Sequence, residues 1–414
     1  LPKTIDLAVQ PSLTRDALED WDRNDSLAGF RARFLLPEGI IYLDGNSLGP
    51  LPAAAPDRIA EVVRREWGQS LIRAWNAHGW IDLAGRVGEK IGRIIGAPAG
   101  CTMVADSTSV NLFKLLSAAL VLRPGRRVVL TETGNFPTDL YVAQGLSRLT
   151  GCALRRADDV AAALDGDVAV LLLTHVDYRS GAMHDMAALT RRAHEAGALV
   201  LWDLSHSVGA VPLDVTAADV DFAVGCGYKY LNGGPGAPAF LFVAPHLLDD
   251  LHVPITGWLG HADPFAFAND YHPAPGIDKA VVGTPPILSL VGLEVGVDLM
   301  LEAPMPALRA KSLRLTDTFM ALTADLGFRL LTPADPARRG SQVALAHPAG
   351  YAIMQALIER GVIGDFRAPD VLRFGFAPLY LRHVDVWDAA AMLREIMATG
   401  AWQAERFRQR QVVT

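Results

Sequence analysis

The chain has only three cysteines in 414 residues, Cys101, Cys152 and Cys226, with no metal-ligand spacing among them. So few in so long a chain point to a reducing compartment. No run approaches the roughly 18 apolar residues of a membrane span. The N-terminal residues carry Asp6 and lack the apolar core of a secretory signal. Basic blocks are missing too, apart from an Arg/Gln-rich stretch at 406–411, and the net charge is −7. Nucleic acid and anionic membranes are therefore not expected partners. No G-x-G-x-x-G loop follows a first strand, which removes the nicotinamide dehydrogenases. What remains is 50% hydrophobic and 20% charged, the balance of a compact cytoplasmic protein with two or three domains.

Between about residues 57 and 284 the pattern alternates helix and strand, the mark of an α/β domain. Strands are predicted at Arg127–Thr131, Val168–Thr174, Leu199–Asp203, Asp221–Gly225 and Ala239–Val243. Asp185 caps a predicted helix Met186–Ala196, which Gly197 ends. Thr284-Pro285-Pro286 breaks the alternation, and a long apolar helix follows from about Ile287 to Met300. Strand Val343–Ala346, helix Tyr351–Arg360, strand Val371–Phe376 and a last helix complete the chain. The expected layout is an arm at 1–56, a large α/β domain at 57–284, and a C-terminal part at 285–414 that shares a small domain with the arm.

Two strand ends carry chemistry. Phe222-Ala223-Val224 runs into Gly225-Cys226-Gly227-Tyr228-Lys229-Tyr230-Leu231-Asn232-Gly233-Gly234-Pro235-Gly236, a lysine where chain leaves a buried sheet for a glycine-rich turn. An amine so placed suits a Schiff base with a carbonyl cofactor. One strand earlier, Leu199–Trp202 delivers Asp203, with His206 three residues on. About sixteen residues separate Asp203 from the next strand, enough for a crossover between parallel neighbours. A right-handed crossover puts Asp203 and Lys229 at one sheet edge, where open α/β sheets bind ligands. A carboxylate and an amine there meet the needs of pyridoxal 5'-phosphate (PLP): the first keeps the pyridine nitrogen protonated and the second holds the aldehyde. Asp203-x-x-His206 as a metal pair finds no third ligand of suitable spacing.

Further signals fall at the same edge. Ala105-Asp106-Ser107-Thr108-Ser109 precedes a helix Val110–Val121, so free N–H groups, a positive dipole end and hydroxyls offer a seat for phosphate. Gly134-Asn135-Phe136-Pro137-Thr138-Asp139 can place an aromatic ring over a cofactor, and Thr174 ends a run of leucines. Gly45-Asn46-Ser47-Leu48-Gly49 matches G-x-S-x-G, but Pro50 and Pro52 follow at once where a nucleophile elbow requires a helix. Ser47 reads better as a residue beside a substrate.

These segments together resemble kynureninase, a PLP-dependent family of fold type I related to the class V aminotransferases. The likeness runs in order from about residue 40 to 380. It is carried by Leu43-Asp44-Gly45-Asn46-Ser47-Leu48-Gly49-Pro50, Asn135–Asp139, Trp202-Asp203-Leu204-Ser205-His206-Ser207, the lysine segment, Gly257-Trp258-Leu259-Gly260-His261 and Gly283-Thr284-Pro285-Pro286. It implies a mostly parallel central sheet with helices on both faces, plus a smaller α+β domain from the two termini. By resemblance, Lys229 is the Schiff-base lysine, Asp203 pairs with the pyridine nitrogen, and Phe136 stacks on the ring near Asp139. Thr108, Ser109, Tyr228 and His206 surround phosphate and ring. Trp258 and Thr284 reach in from the partner of a homodimer. Ser109 stands where the family often has threonine, so a hydroxyl is kept.

The implied reaction is hydrolysis of L-kynurenine, or its 3-hydroxy form, to anthranilate or 3-hydroxyanthranilate and L-alanine. That belongs to tryptophan catabolism and the kynurenine pathway, which leads to NAD biosynthesis. Lys229 takes the Cα proton, and Tyr228 beside it is a candidate proton relay. Arg373, in the apolar run Leu372-Arg373-Phe374, is a candidate clamp for the substrate's carboxylate, because a buried guanidinium needs a bidentate anion. Trp67, Trp75, Trp80, His78, His261 and Tyr271 are candidates to surround the substrate's ring. A cysteine desulfurase would need a cysteine in the C-terminal half, and none follows Cys226. A class V aminotransferase acting on another amino acid is the alternative.

Overall fold

The fold is seen in a computed structural model that describes residues 13–410. Its centre is a seven-stranded sheet of β1 (Thr102–Val104), β2 (Val128–Glu132), β3 (Ala153–Ala157), β4 (Val168–Thr174), β5 (Leu199–Asp203), β6 (Phe222–Gly225) and β7 (Phe240–Val243). The spatial order is β1-β7-β6-β5-β4-β2-β3. All pairs from β6 to β3 are parallel, while β7 runs antiparallel to both its neighbours. Every residue of β4 and β5 is buried. A strand covered on both faces reads as one apolar run, which is why these two match the expected bounds. The sequence reading missed β1 and β3. The first is three residues long, and the second is an edge strand with an arginine pair, Arg155-Arg156, in its middle.

Helices cover both faces. Thr108–Leu122 starts at Ser107, whose Oγ accepts from the Val110 N–H, and buries Leu112, Leu115, Leu116 and Ala119. Met186–Glu195 begins at Asp185, whose side chain accepts from the Ala188 N–H, as the capping rule predicts. Gly197 behind it takes φ +77°. The long apolar helix Ile287–Glu302 lies over the lysine segment, with Gly292 and Gly296 against the backbone of residues 231–233. A side chain there would hold the two apart.

A second sheet has the order Arg329–Leu330, Gln342–Ala346, Val371–Gly375, Asp365–Arg367, with all neighbours antiparallel. The N-terminal arm joins this region. Ile41–Tyr42 pairs in parallel with Val362–Ile363, and Asp44 bridges to Gly375.

Candidate active site

The registers of the central sheet set one line of residues at its carboxyl edge. Thr174 lies opposite Asp203, and Asp203 opposite Val224, so the chain leaving β6 carries Lys229 past both. A cavity of about 670 Å³ opens there. Its walls include Thr108, Ser109, Phe136, Asp139, Thr174, Asp203, His206, Tyr228, Lys229 and Thr284. Segments from residue 108 to residue 284 thus converge on one hollow. Thr284, expected from a second subunit, lies in the wall of its own chain's cavity.

Around Lys229 the geometry is close. Its Nζ lies 3.0 Å from His206 Nε2 and 5.8 Å from the centre of the Phe136 ring. Burial first, then the charges of Lys229, Arg373 and Arg367, push His206 well below the usual histidine range, which favours its neutral form. Asp203 is buried, and one of its oxygens accepts from the Ser205 N–H at 2.7 Å. Burial raises the Asp203 carboxyl, against the pull of Ser205 and Lys229. Asp139 is raised well above its ordinary value by burial first and by the Asp203 charge second. Two buried carboxyl groups that feel each other's charge do not both ionise freely.

The loop before Asp139 is fixed from below. Asn135 Nδ2 donates to Thr131 Oγ1 at 2.9 Å, while its Oδ1 accepts from Thr174 Oγ1 at 2.5 Å and from the Phe136 N–H at 2.7 Å. Thr174 also approaches Asp139 Oδ2 at 3.3 Å. Asp139 Oδ1 and His206 Nδ1 remain buried with no hydrogen-bond partner among the described residues. Buried polar atoms left open in the wall of a cavity are the sign of a site built for a polar ligand.

Ser47 and Arg373 are not in the cavity wall; they meet each other behind it. Ser47 Oγ donates to Asp365 Oδ2 at 2.7 Å and accepts from Arg373 Nη2 at 3.1 Å. Arg373, 1% exposed, grips Asp365 with Nε at 2.7 Å and with Nη2, and its Nη1 donates to the Tyr178 carbonyl. Trp258 also stands apart. It is 42% exposed, its Nε1 donates to the Pro264 carbonyl, and it stacks on Phe267 with planes 13° apart. His261 and Tyr271 share a separate surface hollow with it. Trp67 and Trp80 line another hollow that meets the main cavity at Pro286. Trp80 donates to Glu66 at 2.7 Å and packs edge-on against Trp75, and His78 bonds Ser70 at 2.9 Å.

Some wall residues escaped the sequence reading. Tyr178, in the turn after β4, sets its ring edge-on to Phe136 with centroids 5.1 Å apart. Lys114 is fully buried and paired with Asp106 of the wall, and it also donates to the Ala280 carbonyl at 2.6 Å. Nothing in the sequence marked Lys114, a lone lysine between Phe113 and Leu115, because its partner Asp106 lies outside the helix that carries it.

Comparison with known proteins now decides the family. The chain is 50% identical over 414 residues to kynureninase of Pseudomonas fluorescens, which covers 97% of this chain and all of that protein. Identity to kynureninase of Burkholderia pseudomallei strain 1106a is also 50%, with the same coverage. The chain belongs to the kynureninase family. A sequence model of the kynureninase C-terminal domain matches residues 308–393, which contain Arg373 and Asp365. Among solved structures the fold is shared with a cysteine desulfurase of Thermococcus onnurineus NA1 (TM-score 0.79, 16% identity, 90% of this chain and 98% of the other). A cysteine desulfurase of Escherichia coli gives a TM-score of 0.75 at 20% identity, covering 90% and 98%. C-DES, solved with glycine covalently linked to its PLP cofactor, gives 0.77 at 18%, covering 88% and 99%. At such identities these establish the fold, which is the PLP-dependent fold type I expected from the sequence.

Proposed function

We propose that the chain hydrolyses L-kynurenine to anthranilate and L-alanine with PLP as its cofactor. Family membership supports the reaction, and one observation carries the chemistry: Lys229, His206, Asp203 and Asp139 converge in a cavity whose polar atoms are left open. The residues present suit the cofactor. Lys229 supplies the amine for its aldehyde, Asp203 a carboxylate for the pyridine nitrogen, and Asp139 and His206 unpaired atoms for polar substituents. Thr108, Ser109 and the helix N-terminus behind Ser107 supply donors for phosphate, with Thr284 in the same wall. Phe136 offers a ring face. Bound there, PLP supplies an electron sink for bonds broken at the amino acid's α-carbon.

The chain's own groups then divide the work. Lys229, once free, takes the α-proton; neutral His206 at 3.0 Å does not compete with it for charge. Water must next add to the γ-carbonyl, and a proton must reach the departing fragment. Tyr228 is suited to relay that proton. Neighbouring Cys226, then burial, pushes its phenol up, so it holds its proton, and its place beside Lys229 in the cavity wall, not its acidity, supports the relay. Arg373 anchors the substrate's carboxylate, with Ser47 beside it. We read 57–284 as the cofactor domain and the described parts of 1–56 and 285–414 as the smaller one, with helix Ile287–Glu302 packed back onto the lysine segment.

A homodimer completes the reading. Trp258, Phe265 and Phe267 are an exposed aromatic group, 42%, 61% and 74% accessible, outside their own chain's cavity. Such a group fits a surface covered by a second copy, which brings Trp258 to the other cavity. Sedimentation that finds only monomer-sized particles at working concentration would refute this. We also place it in the cytoplasm, a reading supported by its few cysteines, and in tryptophan catabolism, a reading supported by the proposed substrate. The deciding experiment is product analysis. Kynurenine should yield anthranilate and alanine in equal amounts; amino-group transfer to an added keto acid without anthranilate would favour a class V aminotransferase instead.

A further inference from the structure

Asp365 and Arg373 are direct cross-strand partners in the second sheet. Side chains so placed sit about 5 Å apart and meet without long-range folding. Asp365 is 1% exposed and is held by three groups: Arg373, Ser47, and Arg367 Nη2 at 2.8 Å. Burial would raise its carboxyl, but the hydrogen bonds and charges of Arg373 and Arg367 hold it below the ordinary range. It stays ionised and fixed.

A guanidinium has five N–H groups. On Arg373, Nε and Nη2 are committed to Asp365 and Ser47, and Nη1 reaches the Tyr178 carbonyl. Tyr178 is itself part of the cavity wall. Its carbonyl also accepts from Gln342 Nε2 at 3.1 Å, so it is not left bare when Arg373 lets go. The Nη1 end is thus the one part of Arg373 that can change partner at low cost.

We propose that Asp365 is a positioning residue for substrate. It grips Arg373 along the Nε edge and aims Nη1 at the cavity wall, where the substrate's α-carboxylate replaces the Tyr178 carbonyl. The proposal rests on kynurenine hydrolysis with Arg373 as the anchor. Charge agrees with it. Asp44 Oδ1 is buried beside this group without a partner, and burial with the Asp365 charge pushes Asp44 up to about 7. While Asp44 is neutral, Arg367, Arg373 and Asp365 carry one net positive charge, matched to one carboxylate. Once Asp44 ionises, that charge is cancelled. The groups around Asp44 are Tyr42 on its own segment, Asp365 and Arg367, Arg373, and Tyr230 and Tyr380. KM should therefore rise as pH increases through about 7, and Asp44→Asn should flatten that rise.

Steady-state kinetics on the cofactor-loaded enzyme test this. Arg373→Lys should raise KM for kynurenine; an unchanged KM refutes the anchor and the proposal with it. Given that rise, Asp365→Asn should raise KM about tenfold with kcat nearly kept, the loss of an oriented charged hydrogen bond. Added to Arg373→Lys it should cost little more, because both act on one contact. A change in Tm or kcat with KM unaltered overturns the role of Asp365 and leaves the anchor reading standing. Should Asp365→Asn fail to fold, Ser47→Ala decides: a severalfold rise in KM at unchanged Tm supports the proposal, and an unchanged KM overturns it. A KM in Asp44→Asn that follows the parent's pH curve also counts against it.

Discussion

At the scale of single residues, the site works by keeping some groups charged and others neutral within a few ångströms. Burial is the largest influence on His206, Asp139 and Asp203, and it acts against the charged form of each. Lys229 could be found in the sequence because a lysine at the end of an apolar strand contradicts its surroundings. Asp365 could not: an Asp two residues after a short strand, followed by Phe366 and Arg367, looks like a solvated hairpin until its cross-strand partner is known. Tyr228 offers the sharpest prediction at this scale. If it moves a proton, Tyr228→Phe should lower kcat by about 10²-fold or more, the usual worth of a positioned acid. Cofactor affinity, read from visible absorbance on titration, should change much less. Equal and small losses in both would make Tyr228 only a ligand.

Elements matter because they carry these residues to one edge. Strands β4 and β5 were legible since burial on both faces demands continuous apolar runs, and their last residues, Thr174 and Asp203, are the ones that reach the cavity. Edge strand β3 and the three-residue β1 lacked such a signature. The helix Ile287–Glu302 was expected from its apolar character, but its glycines gave no hint of purpose. Gly296 lies against the Leu231 carbonyl, and a methyl there would come within 2.8 Å of the Asn232 carbonyl carbon. Since Asn232 N–H donates to the Lys229 carbonyl at 2.9 Å, that turn fixes the backbone of Lys229. Gly296→Ala should cost about 1–3 kcal/mol through overpacking. It should also weaken cofactor binding, although residue 296 is not in the cavity wall. A lowered Tm with unaltered cofactor titration would uncouple the helix from the site.

For the whole molecule, the sheet and the second domain have separate tasks. The large sheet gathers Lys229, Asp203, His206 and the helix N-terminus at Ser107. The terminal segments bring Ser47, Asp365 and Arg373 to the far side of Tyr178. In the first group, Asp203, His206 and Lys229 were revealed by the apolar strands they follow, and Ser107 by the hydroxyls ahead of an apolar helix. The second group depends on pairing between Asp44 and Gly375, residues far apart in sequence, so Ser47 and Arg373 stood out singly while Asp365, which joins them, did not. All of it presupposes that a carbonyl cofactor is held by one amine. The most direct measurement is borohydride reduction of the protein after incubation with PLP, followed by peptide mass analysis. A pyridoxyl phosphate mass is expected on the peptide containing Lys229, and its loss together with kynurenine turnover in Lys229→Ala. A label on another lysine, no label at all, or undiminished turnover in that variant would contradict it.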